Sequence, residues 1–401
     1  MPLRIAIVAG EASGDLLGSV LIRAVRERVP EAEFYGIAGP KMIAAGATTL
    51  YPMEKLSVRG YVEVLRRLPE LLRIRSELGR RLAADRPALF IGVDAPDFNL
   101  GLEAKLKARG IPVVHCVSPS IWAWRPERIH SIGRSVDHML CLFPFEKPLY
   151  DRAGIAATYV GHPLAEALPP DAQKDGSRTR LRLGGAGPAI ALLPGSRQGE
   201  LEQHADLFIE TAKRIAQSRP GARFLVPLAT RETRDYFESR IYAREAHELQ
   251  FTILFGHATL ALQAADVALV ASGTATLEAA LARCPMVITY RIPRLSYWWM
   301  SRRSVIRCVG LPNILAGEYI VPELLQDDAT PDNLAQALCN WLENAAARER
   351  LQERFARMHA ALRVDSAERI GQALLPFLAP RAHGFARQAE SDADLAPVRG
   401  R

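Results

Sequence analysis

The sequence is poor in the features that would assign it to a class at once. Its five cysteines, Cys116, Cys141, Cys284, Cys308 and Cys339, are odd in number and never fall in CxxC spacing. That excludes a disulfide framework and a thiolate zinc site, and predicts buried thiols in a reducing compartment. None of the nine histidines pairs with another at metal-ligand spacing. No run reaches the roughly 18 apolar residues of a membrane-spanning helix. The opening MPLRIAIVAG passes from a short strand into polar residues, without the apolar segment and cleavage site of a secretory leader. A cytoplasmic protein is expected, with contact to a membrane surface left open. The first loop, IVAGEASGD, is not a G-x-G-x-x-G fingerprint, so no nicotinamide cofactor is expected there.

What is present describes an ordinary globular chain. It has 401 residues, 49% apolar and 24% charged, with a net charge of +7. That length is more than one hydrophobic core usually serves, so two domains are expected. The modest excess of positive charge suits nucleic acid, anionic membrane or phosphorylated substrates.

Short β-branched runs alternate with amphipathic stretches from the start. RIAIVAG, EFYGIAG, ALFIGVD, IPVVHCV and VDHMLCLF read as buried strands, separated mostly by helical patterns near 15–29, 61–84 and 99–109. After a Gly-, Pro- and charge-rich connection at 161–188, the alternation restarts with AIALLPG, a long helix to about Ser218, ARFLVPL, FTILFG, DVALVASG and PMVITY. This βα repetition predicts two doubly wound α/β units with parallel sheets. Their expected bounds are 1–165 and 186–330, followed by helices over 331–380 that pack back or are exchanged in a dimer, and a disordered tail over 381–401. Ligands of such sheets bind beyond the carboxyl ends of the strands, so the site is expected in the cleft between the units.

Several strand-end loops carry candidate chemistry. In IVAGEASGD, Gly10 and Gly14 permit close backbone approach, and Ser13 or Asp15 is placed to cap the next helix; a tight turn with a cap explains the loop as well as a ligand does. In LLPGSRQGE, the residues Gly195, Ser196 and Arg197 open a helix whose N–H groups and dipole favour an anion. The Arg197 guanidinium adds a fork for phosphate oxygens, and Glu200 is either a capping acid for Ser196 or the orienting partner of Arg197. In ASGTATLE, Ser272, Gly273 and Thr274 start another helix, and Glu278 one turn on can accept both hydroxyls of a ribose or merely favour the dipole. Asn313 stands in the Pro/Gly-bounded loop VGLPNILAG, where Asn is a common turn residue. His115 and His162 end strands and are readable as cleft-lining or structural. In IGVDAPDF, Asp94 and Asp97 are open to three readings: metal pair, base with a structural neighbour, or helix cap. The absence of a third acidic ligand disfavours the metal pair. Asp97 is the better placed to cap a helix beginning near Asn99.

Two segments mix apolar and basic residues. Residues 56–81 carry Val62, Leu65, Leu68 and Leu72 at helical spacing among seven arginines, which suits a core-facing helix or an interfacial one on anionic lipid. Residues 291–307 set Tyr297, Trp298, Trp299 and Met300 beside five arginines. No nucleic-acid module accompanies them, and no nucleic-acid partner is expected.

Taken in order, AGEASGD, IGVDAPDFN, VSPSIWAWRPERI, FPFEK, GHPL, LLPGSR, ASGTATLE, CPMVITYR and LPNILAG resemble the bacterial lipid-A-disaccharide synthase family, from about residue 4 to 375. The resemblance implies a GT-B glycosyltransferase, two Rossmann-like domains facing across a cleft. It implies transfer of 2,3-diacylglucosamine from its UDP derivative to the 6-hydroxyl of 2,3-diacylglucosamine 1-phosphate, with inversion, no metal and no cofactor. It further implies a peripheral position on the cytoplasmic face of the inner membrane and a homodimer with exchanged C-terminal segments. By motif match Asp94 falls on the family's candidate base. Arg197, Glu278 and Asn313 fall on functionally important positions, and Glu11 and Ser13 in the N-terminal cleft loop. Arg59 stands where an apolar residue such as Met is expected, and the tail beyond about 380 has no counterpart. The rival readings are a non-hydrolysing UDP-GlcNAc 2-epimerase of the same architecture, which should lack the apolar, Arg-rich flank, and a non-catalytic nucleotide- or lipid-binding module. An undecaprenyl-linked GlcNAc transferase would carry a glycine-rich GGTGGH-like first loop, absent here.

Overall fold

The computed structural model describes residues 3–56, 61–123, 125–171, 173–185, 187–292 and 308–378, with side chains omitted for 61–66. The expectations concerning Arg59, Val62, Leu65, the aromatic residues 297–300 and the 381–401 tail lie outside what is described.

Two parallel sheets organise the described residues. The first contains β1 (Arg4–Ala9), β2 (Glu33–Ala38), β3 (Ala47–Pro52), β4 (Leu89–Val93), β5 (Val113–Cys116), β6 (His138–Cys141) and β7 (Ala157–Tyr159), in the order β3-β2-β1-β4-β5-β6-β7. The second contains β8 (Ala189–Leu193), β9 (Arg223–Leu228), β10 (Gln250–Phe255), β11 (Val267–Ala271), β12 (Met286–Tyr290) and β13 (Glu323–Leu325), in the order β10-β9-β8-β11-β12-β13. Strands covered on both faces read as unbroken apolar runs. Thus Ile5 to Ala9 and Val267 to Val270 are completely buried. The order reverses between β1 and β4, and again between β8 and β11. Those two reversals are where a doubly wound sheet opens a crevice at its carboxyl edge.

The strands that escaped sequence reading are edges or very short. β3 is largely exposed, and β7 and β13 are three residues each, so no continuous apolar run marks them. The 161–188 stretch is more than a connection. It contains the helices Pro163–Ala167 and Lys174–Arg180. The second is tied to the second sheet, because Lys174 and Arg178 each pair with Asp266 at 2.7 Å.

The C-terminal helices recross to the first unit. Pro331–Glu343 packs on β11 and β12, and Ala345–Leu362 leads back toward β7. Ser366–Leu378 then lies along the Ala12–Arg26 helix of the same chain. Its Ile370, Leu374 and Leu378, at i, i+4 and i+8, are 2%, 0% and 6% exposed, each burial contributing about 1.5–3 kcal/mol. Polar contacts fasten the crossing. Tyr159 Oη donates to the Ala361 carbonyl at 2.7 Å, and the His162 backbone N–H to the Leu362 carbonyl at 3.0 Å. Arg28 pairs with Glu368.

One capping expectation is corrected. The first helix begins at Ala12 with Glu11 as its N-cap, so Ser13 and Asp15 already lie inside it. The Asp15 carboxylate, 3% exposed, instead accepts from the backbone N–H groups of Lys41 and Met42, both at 2.9 Å. It caps the Pro40–Ala44 helix, a contact of 26 residues' separation that no local pattern announces. Gly39 makes the room, since a Cβ there would lie 2.5 Å from Asp15 Cγ. Replacing Asp15 by Ala leaves two buried N–H donors without an acceptor and should cost about 1–3 kcal/mol in urea unfolding. Asp15→Asn, which keeps one acceptor oxygen, should cost less. An unchanged midpoint for Asp15→Ala would refute the capping role.

Candidate active site

The carboxyl end of β4 makes an unusual turn. Asp94 and Ala95 both have left-handed backbones, φ 53° and 45°, a conformation that non-glycine residues adopt only when held there. The restraints are visible on both sides. The Asp94 N–H donates to the Cys116 carbonyl at the end of β5, 2.9 Å away. Its carbonyl accepts from Asn99 Nδ2 at 2.8 Å. The helix that follows, Pro96–Lys107, starts with the Pro that suits a first turn. The Asp94 side chain is half-buried, and its carboxylate accepts no hydrogen bond from the described residues.

Asp97 does not cap a helix at Asn99. The helix begins three residues earlier, with Ala95 as its N-cap, and Asp97 sits in the first turn with its carboxylate 92% exposed, 3.2 Å from Arg128 Nη2. The sequence reading placed the boundary too late because the left-handed pair compresses the strand-to-helix transition.

The loop after β1 faces this turn. Gly10 is required by proximity, since a Cβ there would lie 2.8 Å from Ala95 Cβ. Glu11 then reaches out of the first unit: its Oε2 is 3.4 Å from Arg197 Nη2, on the second unit. Ser13 is exposed in the first helical turn. Glu11, from the reversal of the first sheet, therefore meets Arg197 from that of the second.

After β8, Pro194 and Gly195 (φ 128°) turn the chain into the Gln198–Ser218 helix, whose N-cap is Arg197. Gly195 is needed because a Cβ would stand 2.6 Å from Glu200 Cβ. The expected anion cradle is partly filled from within: Glu200 Oε2 accepts from the backbone N–H groups of Ser196 (3.1 Å) and Arg197 (3.3 Å). A phosphate entering here must share or displace that carboxylate. Behind it His204, not picked out in the sequence, accepts from the Arg291 N–H on Nε2 at 2.9 Å, so its Nδ1 donates to the Glu200 carbonyl at 2.8 Å. Burial holds it below the usual imidazole pKa.

After β11, Ser272 Oγ donates to the Val309 carbonyl at 3.2 Å, while Gly273 (φ 134°) and Thr274 are exposed at the start of the Thr274–Leu281 helix. Glu278, half-buried one turn on, accepts from Thr259 Oγ1.

Asn313 departs from expectation. It lies within a helix, Leu311–Ala316, and is completely buried. Its Nδ2 donates to the Val321 carbonyl (2.9 Å) and Glu323 Oε1 (2.8 Å), and its Oδ1 accepts from the Ile320 (2.8 Å) and Val321 (3.0 Å) N–H groups. Glu323 in turn accepts from the Val309 and Gly310 N–H groups. Asn313 thus holds the loop that meets Ser272, and its own polar atoms are saturated.

A buried network of the first unit is built around Glu146. Its Oε2 accepts from the Leu142 (3.1 Å) and Phe143 (3.0 Å) N–H groups and its Oε1 from Trp122 Nε1 (3.1 Å). Ser118 and Tyr150 share a 2.7 Å hydrogen bond beside it, and Trp122 stands edge-on to Phe145. This network accounts for the SPSIW and FPFEK motifs. His162 Nδ1 accepts from the Leu164 N–H at 3.2 Å, and burial drops its pKa to about 4. His115 is fully buried and is not presented to the cleft surface, whereas His162 is half-buried. Among the described residues no group of three or more His, Cys, Asp or Glu is arranged to hold a metal.

Comparison with known proteins adds three findings. A family model described as lipid-A-disaccharide synthetase matches residues 5–376. The lipid-A-disaccharide synthases of Methylobacillus flagellatus and Aromatoleum aromaticum are each 57% identical, over 93% and 94% of this chain and 99% and 97% of theirs. Among solved structures, a UDP-GlcNAc 2-epimerase from Neisseria meningitidis bound to UDP-GlcNAc aligns with a TM-score of 0.62 at 12% identity, covering 94% of this chain and 100% of that one. Acinetobacter baumannii MurG aligns at 0.55 and 14%, covering 92% and 98%. The structural likenesses establish the GT-B fold.

Glu146 makes a pH prediction. Burial pushes its carboxyl up to about 7 from 4.5, against the hydrogen bonds that favour its charge. A folded-state value above the unfolded one means that its contribution to stability is complete below about pH 4.5 and lost as pH rises through about 7. Compared with Glu146→Gln by urea unfolding, the native protein should therefore lose ground to the variant between about pH 5 and about pH 8. A difference independent of pH would contradict the burial argument.

Proposed function

The chain belongs to the lipid-A-disaccharide synthetase family, and on that premise we propose how its cleft carries out the family's transfer. The enzyme is an inverting glycosyltransferase with a UDP-sugar donor. It moves 2,3-diacylglucosamine from UDP-2,3-diacylglucosamine to 2,3-diacylglucosamine 1-phosphate, releasing UDP and the β-1,6-linked disaccharide 1-phosphate.

In the proposed mechanism Asp94 is the base. As the acceptor 6-hydroxyl oxygen bonds to the donor anomeric carbon, Asp94 takes its proton. The bond from that carbon to the diphosphate breaks, and its electron pair leaves on UDP. The observation that carries this role is the half-exposed Asp94 carboxylate at the reversal of the first sheet, which accepts no hydrogen bond from the described residues.

Arg197, with the backbone of Gly195 and Ser196, is assigned to the diphosphate, where negative charge grows as the bond breaks. Its pairing with Glu11 supports the assignment. Both side chains are about half exposed, 52% and 47%, and such a pair contributes only about 0–1 kcal/mol. A diphosphate that accepts two guanidinium hydrogen bonds displaces it readily. Ser272, Gly273 and Thr274 are assigned to the uridine side of the donor, and Glu278 to the ribose hydroxyls in exchange for Thr259. Asn313 is assigned the indirect task of fixing the loop against Ser272. Glu11 and Ser13 border the acceptor side.

No helix among the described residues is long and apolar enough to cross a membrane. Peripheral attachment to the inner-membrane surface is part of the proposal. Leu68 and Leu72, 40% and 45% exposed on one face of Tyr61–Asp85 while Ile74, Leu78 and Leu82 are buried, support it. So do the basic residues on that helix. A homodimer with exchanged C-terminal segments is also proposed, in which the packing that Ser366–Leu378 makes on the Ala12–Arg26 helix of its own chain is made between chains instead.

With the acylated donor and acceptor, Asp94→Ala should lower turnover by roughly 10²–10⁴-fold. UDP affinity measured by calorimetry should be unchanged. Near-native turnover would remove Asp94 from the role of base. Conversion of unacylated UDP-GlcNAc to its 2-epimer would overturn the transferase reading itself.

A further inference from the structure

Behind Asp94 lies a buried pair that the mechanism above does not use. Glu103, on the Pro96–Lys107 helix, and His115, on β5, are both completely buried, with Glu103 Oε1 and His115 Nδ1 2.6 Å apart. Two ionisable groups this deep are costly unless something requires them. The backbone is shaped to admit them: Gly92 of β4 lies between, and a Cβ there would stand 2.0 Å from Glu103 Oε1 and 3.1 Å from His115 Nδ1. Burial works against a charged imidazole. The carboxylates of Glu103 and Asp94 and the Val117 carbonyl outweigh it and raise the His115 pKa.

The location of the pair suggests its purpose. Asp94 is held from two directions, its N–H by Cys116 of β5 and its carbonyl by Asn99 of the following helix. His115 immediately precedes Cys116, and Glu103 lies one helical turn beyond Asn99 on the same face. The Glu103–His115 bond therefore joins the two elements that grip Asp94, passing over β4 at the glycine two residues before it. Val117, next after Cys116, also has a left-handed backbone, φ 82°, so a second strained position lies two residues beyond His115.

We propose that Glu103 and His115 are positioning residues for the transfer, a buried cross-tie between β5 and the Pro96–Lys107 helix that fixes Asp94 in its left-handed turn and aims its carboxylate at the acceptor hydroxyl. The proposal rests on Asp94 being the base. A sub-ångström drift of a catalytic group is expensive, and displacement by about 1 Å can cost about 10²-fold in rate.

Three variants test the tie on the full-length enzyme: Glu103→Ala, which removes it; Glu103→Gln, which preserves its shape and one acceptor oxygen; and Gly92→Ala, which displaces the carboxylate without deleting any polar group. With acylated donor and acceptor, Glu103→Ala and Gly92→Ala should lower kcat by roughly 10–100-fold. KM for the donor and UDP affinity should stay within about twofold, because those contacts lie on the other sheet. Glu103→Gln should recover most of the lost kcat. Thermal melts report the folded fraction. If Glu103→Ala does not fold, Gly92→Ala and Glu103→Gln decide the matter. Native kcat per folded enzyme in Gly92→Ala would overturn the proposal, as would equal losses of kcat in Glu103→Gln and Glu103→Ala. If Asp94→Ala itself retains turnover, the base assignment fails instead, and the two failures are thereby distinguished.

Discussion

The chemistry assigned to this cleft depends on a backbone constraint, the two consecutive left-handed residues at the end of β4. Asp94 and Ala95 adopt that conformation without a glycine, at about 1–3 kcal/mol for each. The cost is met by hydrogen bonds that run to different elements, β5 on one side and the Pro96–Lys107 helix on the other. Gly10 allows β1's loop to approach within contact of Ala95, and Gly92 leaves space for the buried Glu103–His115 pair. Each glycine serves the same turn from a different direction, and the carboxylate it presents carries no competing hydrogen bond among the described residues.

The second sheet contributes an analogous but looser arrangement. Its two reversal loops present Arg197 and the Ser272–Thr274 turn, and in both the polar groups are already engaged: Glu200 on the Ser196 and Arg197 N–H groups, Thr259 on Glu278, and Glu11 of the first unit on Arg197. These exposed or half-exposed contacts are weak, so they keep the loops ordered without opposing a nucleotide. The rigid element belongs to the proposed base and the exchangeable contacts to the proposed diphosphate site, a division that suits a single displacement.

Much of this was legible in the chain itself. The inner strands could be read because burial on both faces leaves an unbroken apolar run, as in Ile5–Ala9 and Val267–Ala271. The edge strands β3, β7 and β13 could not, being short or half exposed. The glycine and hydroxyl residues at strand ends marked the loops that gather at the two sheet reversals. Contacts distant in sequence were invisible: Asp15 capping Lys41 and Met42, Asn313 saturated by residues 320–323, and Glu103 meeting His115. The helix after β4 was placed too late at Asn99 because a left-handed Asp–Ala pair has no signature in residue type. Family resemblance identified the reaction, but the means by which its candidate base is held emerged only from the packing.

The central claim is that the position of the Asp94–Ala95 turn sets the rate of transfer. Its most direct test is Gly10→Ala, a single methyl added on another strand's loop, whose ideal position is 2.8 Å from Ala95 Cβ. Turnover and UDP affinity should be measured together on the folded variant. The account predicts a fall in kcat of roughly tenfold or more with UDP affinity unchanged. Native turnover in a protein that demonstrably carries the extra methyl would contradict it.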